Sequence, residues 1–339
     1  MRSRRLSATP VVVLTVVLAL LGGACSKSKK STGQGAAAGP TTTAKPATFP
    51  LTGRPVTDPA KANRAAVTVK IDNNSAARPQ AGIEAADVVY EEFTEGITRF
   101  VVVFHSTDAD PVGPVRSVRP ADPVIIRPLG GVFGFSGGSP AVRALLPGTP
   151  VVAVDENATD VMKRRRGRSA PHNLYTSVAG LESKAPPGAK PPPRFADFLE
   201  PGKPFGGAGA APAAHVSLKP APAVSAGYDW DPATGTWKRT TDGAPATLEG
   251  GGRIGPTNVI VQFTPYSQFS GDAKVQYPEV VGSGDAWVFA AGMVVKGRWS
   301  KPSPDAVTAF TDAAGAPIVL PPGQTWVHLV APGTAPTIT

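Results

Sequence analysis

Proline and glycine interrupt this 339-residue chain 38 and 37 times, often enough that no long amphipathic helix can run through it. Proline removes a backbone donor and clashes with the preceding turn, and glycine carries the largest entropy cost in a helix. With 17% charged residues, the mixture predicts β-rich globular parts joined by irregular segments. The length allows two domains of ordinary size.

Between the breaks the chain reads as short strands. AAVTVKI (65–71), ADVVYEE (86–92) and RFVVVFH (99–105) are rich in β-branched residues, and the third is apolar enough to be buried on both faces. Residues 132–135 and 151–154 are shorter candidates. Asp122-Pro123 can open a short helix, and Ser139 can cap another, with Pro140 at its first position, that continues to Leu146. Residues 50–182 are therefore expected to form an α/β (α+β) domain around a mostly buried sheet. Residues 183–214 hold two Pro-rich runs, a Gly/Ala segment and one helix candidate, 194–199, and read as linker or insertion. Residues 215–335 read as a smaller β-rich domain, a sandwich or barrel. Its candidates are a hairpin over 228–239, strands at 258–263, 318–320 and 325–330, and a hairpin around Ala291-Gly292. All five tryptophans fall in this part. Core packing is the plain reading, a sugar-binding aromatic platform the sharper one.

The N-terminus is an address. Arg2, Arg4 and Arg5 precede an apolar run over 11–21, and small residues lead to Cys25. That is the layout of an export signal, too short to span a bilayer, and residues 1–24 are read as the signal peptide. LGGAC resembles a bacterial lipobox, with Gly22 where a large aliphatic residue is usual and Leu21 one step early. The resemblance implies a diacylglyceryl group on the Cys25 sulfur, a firm membrane anchor. Residues 25–49 then form a lipidated start and a disordered tether. Cys25 is the sole cysteine, which excludes an internal disulfide, a CxxC pair and a cysteine metal cluster. The net charge of +9 is concentrated in the same region. Residues 1–49 hold seven basic groups and no acidic one, leaving 27 against 25 in the remainder, or +2. Bulk charge thus gives no argument for nucleic acid.

The residues most suggestive of chemistry lie in GPVRSVRP (113–120) and GFSGGSP (134–140). Arginine presents a planar fork of donors that fits phosphate or carboxylate oxygens in pairs. Arg116 and Arg119, flanking Ser117 and joined by Arg99, can converge on an anion. Gly137 and Gly138, ahead of Ser139, can offer backbone N–H groups at a helix start. The alternative is internal pairing of these arginines with Glu91, Glu92, Asp72 or Asp87. His172 and Asn173 lie in a loop, where functional groups concentrate; His172 suits a base or a ligand donor. The stretch 134–138 also matches G-x-S-x-G, and Ser136, Asp155 or Asp160, and His172 follow serine-hydrolase order. KRRRGR (163–168) is a solvated loop by default, and a contact for teichoic-acid phosphates or lipid headgroups otherwise. The four histidines are too scattered for metal-ligand spacing, so no metal and no cofactor is expected.

IDNN (71–74), ARPQAG (77–82), ADVVYEE, GITRF (96–100), GPVRSVRP, GGSP, APHNLYTS (170–177), NVIVQ (258–262) and PPGQTW (321–326) recur in order, and on them the chain resembles the YerB-type lipoprotein family. The resemblance covers most of the chain from about residue 50. It implies a two-part extracytoplasmic lipoprotein and brings no established activity. The arginine loop followed by a Gly-Gly turn also resembles, as an analogy only, the LytR-CpsA-Psr proteins, which handle polyprenyl-linked phosphates. The expectation is a lipoprotein on the outer face of the bacterial cytoplasmic membrane, anchored through Cys25 and binding an anionic cell-wall or lipid-linked ligand. The alternatives are a cell-envelope enzyme, either a phosphoryl transferase on lipid-linked precursors or a Ser136/His172 hydrolase, and an assembly factor whose β domain docks a partner.

Overall fold

The computed structural model describes residues 47–339. The export signal, Cys25 and nearly all of the tether lie outside that range. After a single turn, α1 (Pro59–Ala62), come β1 (Val67–Asp72), β2 (Val88–Thr94) and β3 (Ile97–Phe104). The chain then passes through α2 (Asp122–Ile126), β4 (Gly131–Gly134), α3 (Pro140–Arg143) and β5 (Val151–Val154). β3 runs antiparallel to both β1 and β2, while β4 and β5 add in parallel beyond β1. Each of the six residues of β1 is buried, as an interior strand covered on both faces requires.

A small hairpin, β6 (Lys163–Arg164) and β7 (Leu174–Tyr175), and the turn α4 (Val178–Glu182) close the first part. The proline-rich stretch that follows packs onto the body: Phe195, Phe198 and Phe205 are buried. The helix expected over 194–199 does not form. Its backbone bonds elsewhere, Phe195 N–H to the Pro50 carbonyl and Leu199 N–H to that of Leu320, so these residues run extended. β8 (Ala211–Pro212) ends the stretch.

Next come β9 (His215–Ala221), β10 (Val224–Asp231), β11 (Thr236–Thr241) and β12 (Ala244–Pro245), an antiparallel set. They are followed by β13 (Asn258–Phe263), the hairpin β14 (Tyr266–Phe269) and β15 (Asp272–Pro278), then β16 (Gly282–Ala290), β17 (Met293–Lys301), β18 (Ala309–Asp312), β19 (Thr325–Val330) and β20 (Thr337–Ile338). β20 pairs with β9 and completes the small sheet.

The second part does not close into its own sandwich or barrel. β19 lies between β13 and β2 and is parallel to both, with Thr325 opposite Asn258 on one side and Val88 on the other. One sheet therefore runs β18-β17-β16-β13-β19-β2-β3-β1-β4-β5, with β8 on β17. The cause is legible in TWVHLV: all six residues are buried, so the strand needs partners on both edges. The α/β expectation holds only in part. The helices are single turns and the architecture is largely β-rich, because proline and glycine leave no segment long enough for a longer helix. The residues 318–320 make no strand; Leu320 forms only an isolated bridge with Phe198.

The small sheet covers one face of the large one, where Tyr228 and Trp237 pack with Phe100, Val261 and Trp326. The other face packs Val101, Val103 and Val327 under Ile126, Leu129 and Phe195. Trp237, Trp299 and Trp326 are buried, which leaves Trp230 and Trp287 half-buried, the latter under the Lys296 ammonium at 4.0 Å.

Candidate functional site

β1, β4 and β5 are parallel: Val69, Gly134 and Val154 lie side by side, and β1 runs on past them to Asp72 at the same carboxyl edge. In open sheets, ligands bind outside such ends. The segment 113–118 crosses there, held by backbone bonds on both sides. Arg116 N–H donates to Lys70 O at 2.8 Å and Asp72 N–H to Pro114 O at 3.0 Å; Ser136 N–H donates to Arg116 O at 2.8 Å and Val118 N–H to Gly137 O at 3.1 Å. GPVRSVRP and GFSGGSP are therefore laced together although 18 to 22 positions separate Arg116 and Arg119 from Gly137 and Gly138.

The three arginines do come together, around a carboxylate the sequence reading overlooked. Glu95 sits at the tip of the β2–β3 hairpin with φ of 52°, followed by Gly96 at 85°, a two-residue turn with both residues left-handed. Its Oε2 accepts from Arg99 Nη2 at 3.0 Å and from Arg119 Nη2. Arg119 is also fixed by Thr94 Oγ1 at 3.0 Å and the Val118 carbonyl at 2.8 Å. Arg116 Nε donates to Asp72 Oδ2 at 3.0 Å, and its Nη1 and Nη2 make no hydrogen bond among the described residues. Burial raises the Glu95 carboxyl, but Arg119, then Arg99 and Arg116, outweigh it and hold the group below the usual range. Burial, then Arg119, bring the Arg99 guanidinium down to about 10, with Glu95 opposing. Arg99 Nε is buried with no hydrogen-bond partner. Three guanidinium groups thus share two carboxylates, Asp72 and Glu95. Of the four internal partners expected, only Asp72 pairs with them. Ser117 lends its carbonyl to Arg99 Nη1 at 3.5 Å.

In the glycine turn the Gly137 N–H is already taken, while the Gly138 N–H makes no hydrogen bond among the described residues. Gly137 N–H donates to Glu156 Oε2 at 2.8 Å, and Arg143 grips the same carboxylate at 2.9 and 3.0 Å. α3 is one turn long, and Ser139 makes no side-chain cap; its hydroxyl is buried without a partner. At Gly137 the expected backbone anion site is filled by the chain's own acid, Glu156, which Arg143 also holds. Gly138 is needed for fit: a Cβ there would lie 2.6 Å from Val118 Cγ1.

His172 reaches this cluster from the β6–β7 loop. Its Nδ1 lies 2.7 Å from Asp72 Oδ2. The carboxylate partner is Asp72, not the Asp155 or Asp160 of the serine-hydrolase order: Asp155 binds Arg143 and Asp160 binds Lys184. No hydrogen bond joins Ser136 to His172 among the described residues. Asn173 closes the loop instead of facing the site, accepting from Arg164 Nη1 at 2.7 Å and donating to Arg168 O at 3.2 Å. KRRRGR is partly tied down, with Arg165 on Glu249 at 2.6 Å and Arg168 on the Ala77 and Pro79 carbonyls. A groove of about 440 Å³ beside this hairpin is lined by Lys163, Arg165, Tyr175 and Asp160, and by none of the three arginines.

Two family models cover most of the described chain. The "Protein of unknown function (DUF3048) N-terminal domain" matches residues 51–189 and the C-terminal domain of the same family matches 216–327. The chain belongs to the DUF3048 family, and its two family segments share the large sheet through β19. It is 27% identical over 307 residues, 85% of this chain and 87% of the relative, to "Putative lipoprotein YerB" of Bacillus subtilis (strain 168). The crystal structure of the Bacillus subtilis YerB protein matches with a TM-score of 0.73 over 86% of this chain and 99% of that one, at 24% identity. At that identity the likeness is one of fold.

Proposed function

We propose that this protein is an extracytoplasmic lipoprotein, anchored through Cys25 on the outer face of the cytoplasmic membrane, that binds an anionic cell-envelope ligand in the arginine cradle. The anchor reading rests on the signal-and-Cys25 pattern and on the description of the Bacillus subtilis relative as a lipoprotein. The binding reading rests on one observation: Arg99 and Arg119 close on the carboxylate of Glu95, with Arg116 close enough to help lower it. Glu95 is a turn residue whose side chain is 41% exposed. It stands where an outside carboxylate or phosphate would stand. Arg116 offers two uncommitted nitrogens beside it, and Arg99 and Arg119 supply fixed charge from below.

Thermal unfolding of the full chain in rising inorganic phosphate tests this. The midpoint should climb for the natural protein and stay flat for Arg116→Ala. An equal climb in both removes Arg116 from the site, and none in either removes the site.

A further inference from the structure

The cluster holds one group more than anion binding requires. Asp72 is 1% exposed and is held by three donors: Asn74 N–H on Oδ1 at 3.0 Å, and Arg116 Nε and His172 Nδ1 on Oδ2 at 3.0 and 2.7 Å. A carboxylate on Nδ1 fixes that nitrogen as the donor, which leaves Nε2 as the basic nitrogen. Nε2 makes no hydrogen bond among the described residues, and the His172 side chain is 20% exposed. An orienting carboxylate, a base with its outer nitrogen unoccupied and an arginine with open Nη groups therefore share one carboxylate oxygen. General-base catalysis needs that order of contacts.

We propose that His172 is the general base of a phosphate monoester hydrolase, with Asp72 as its positioning residue. The inference rests on the anion-site reading. The charge count names the substrate class. When Glu95 leaves, three guanidinium groups face Asp72 alone, and the two positive charges remaining match a monoester dianion. In the step, water attacks phosphorus in line and its proton passes to Nε2. The new O–P bond forms as the ester P–O bond breaks, and the alkoxide takes a proton from solvent. Nε2 then returns its proton to solvent, leaving an alcohol and orthophosphate. Arg116 and the cradle hold the equatorial oxygens as charge spreads over them.

The test combines two readouts on the full chain: release of p-nitrophenolate from p-nitrophenyl phosphate, and the thermal shift caused by inorganic phosphate. The natural protein should turn over. His172→Asn should lose on the order of 100-fold or more in kcat and keep the phosphate shift, and free imidazole should restore part of the rate to His172→Gly. A phosphate shift without turnover, turnover indifferent to His172→Asn, or failed imidazole rescue overturns the catalytic assignment while the anion site stands. Loss of the phosphate shift in the natural protein overturns both.

Discussion

Arg99, Arg116 and Arg119 could be singled out from sequence because their residue type fits anions and two of them sit three residues apart in a loop that Gly113, Pro114 and Pro120 keep irregular. Glu95 was passed over, since its part depends on a left-handed turn that carries its side chain to Arg99 four residues on and to Arg119 from another segment. The Asp72–His172 contact spans 100 residues and leaves no local mark either. Beneath the cradle lies a second charged group. Lys70 Nζ meets both Glu92 and Asp122, all within 1% exposure, and Asp122 Oδ2 accepts the Arg119 N–H at 2.7 Å. Burial pushes the Asp122 carboxyl up to about 7 from its ordinary 3.8; Lys70 opposes this and Glu92 adds to it. A carboxyl that holds its proton more tightly when folded contributes stability that is complete below 3.8 and lost as pH rises through about 7. His105 and His328, both held down at about 4 by burial, act in the opposite sense below 6.5. Above that, Asp122 sets the slope, with Asp87, raised by burial, acting in the same sense, until Lys301, brought down to about 8 by burial, opposes it. Between about pH 6.5 and 7.5 the protein should lose on the order of 1 kcal/mol or less, and Asp122→Asn should flatten that slope. Denaturant melts at several pH values check it; parallel slopes in both proteins would contradict the assignment.

At the scale of elements, β19 joins the halves. Its insertion between β13 and β2 means that each family segment completes the other's sheet. Glu91, on the face that the small sheet covers, makes the point chemically. It is fully buried; its ion-pair partner Arg239, at 2.9 Å, and the neighbouring His328 ring, at 3.2 Å, both come from the C-terminal half. Without the C-terminal half, the apolar face of the large sheet that Tyr228, Trp237 and Trp326 cover is exposed to water and the β2 edge loses its partner β19. A fragment of residues 47–189 should therefore show no cooperative thermal transition and should bind a hydrophobic dye. A sharp transition near that of the whole chain would show that the first half folds alone. The limits of β13 and β19, residues 258–263 and 325–330, could be read from sequence because both are near-continuous apolar runs bounded by turn residues. Their neighbours could not. A parallel pair such as Trp326 opposite Val89 joins residues more than 200 positions apart, and nothing local selects β2 over another buried strand. The helix expected over 194–199 failed for a related reason: tertiary bonds to Pro50 and Leu320 claimed its backbone.

For the molecule as a whole, a β-rich body with little net charge past residue 49 gathers three arginines near the carboxyl ends of its parallel strands. The chain's own Glu95 pairs with two of them. On the proposed function, this carboxylate stands in for an outside anion. Calorimetric titration of inorganic phosphate into the full chain and its Glu95→Gln variant tests this most directly. Removing the competing charge should tighten binding at least about fivefold, or about 1 kcal/mol. Binding that is unchanged or weakened in Glu95→Gln would mean that Glu95 belongs to a structural ion pair and that the cradle has no outside occupant.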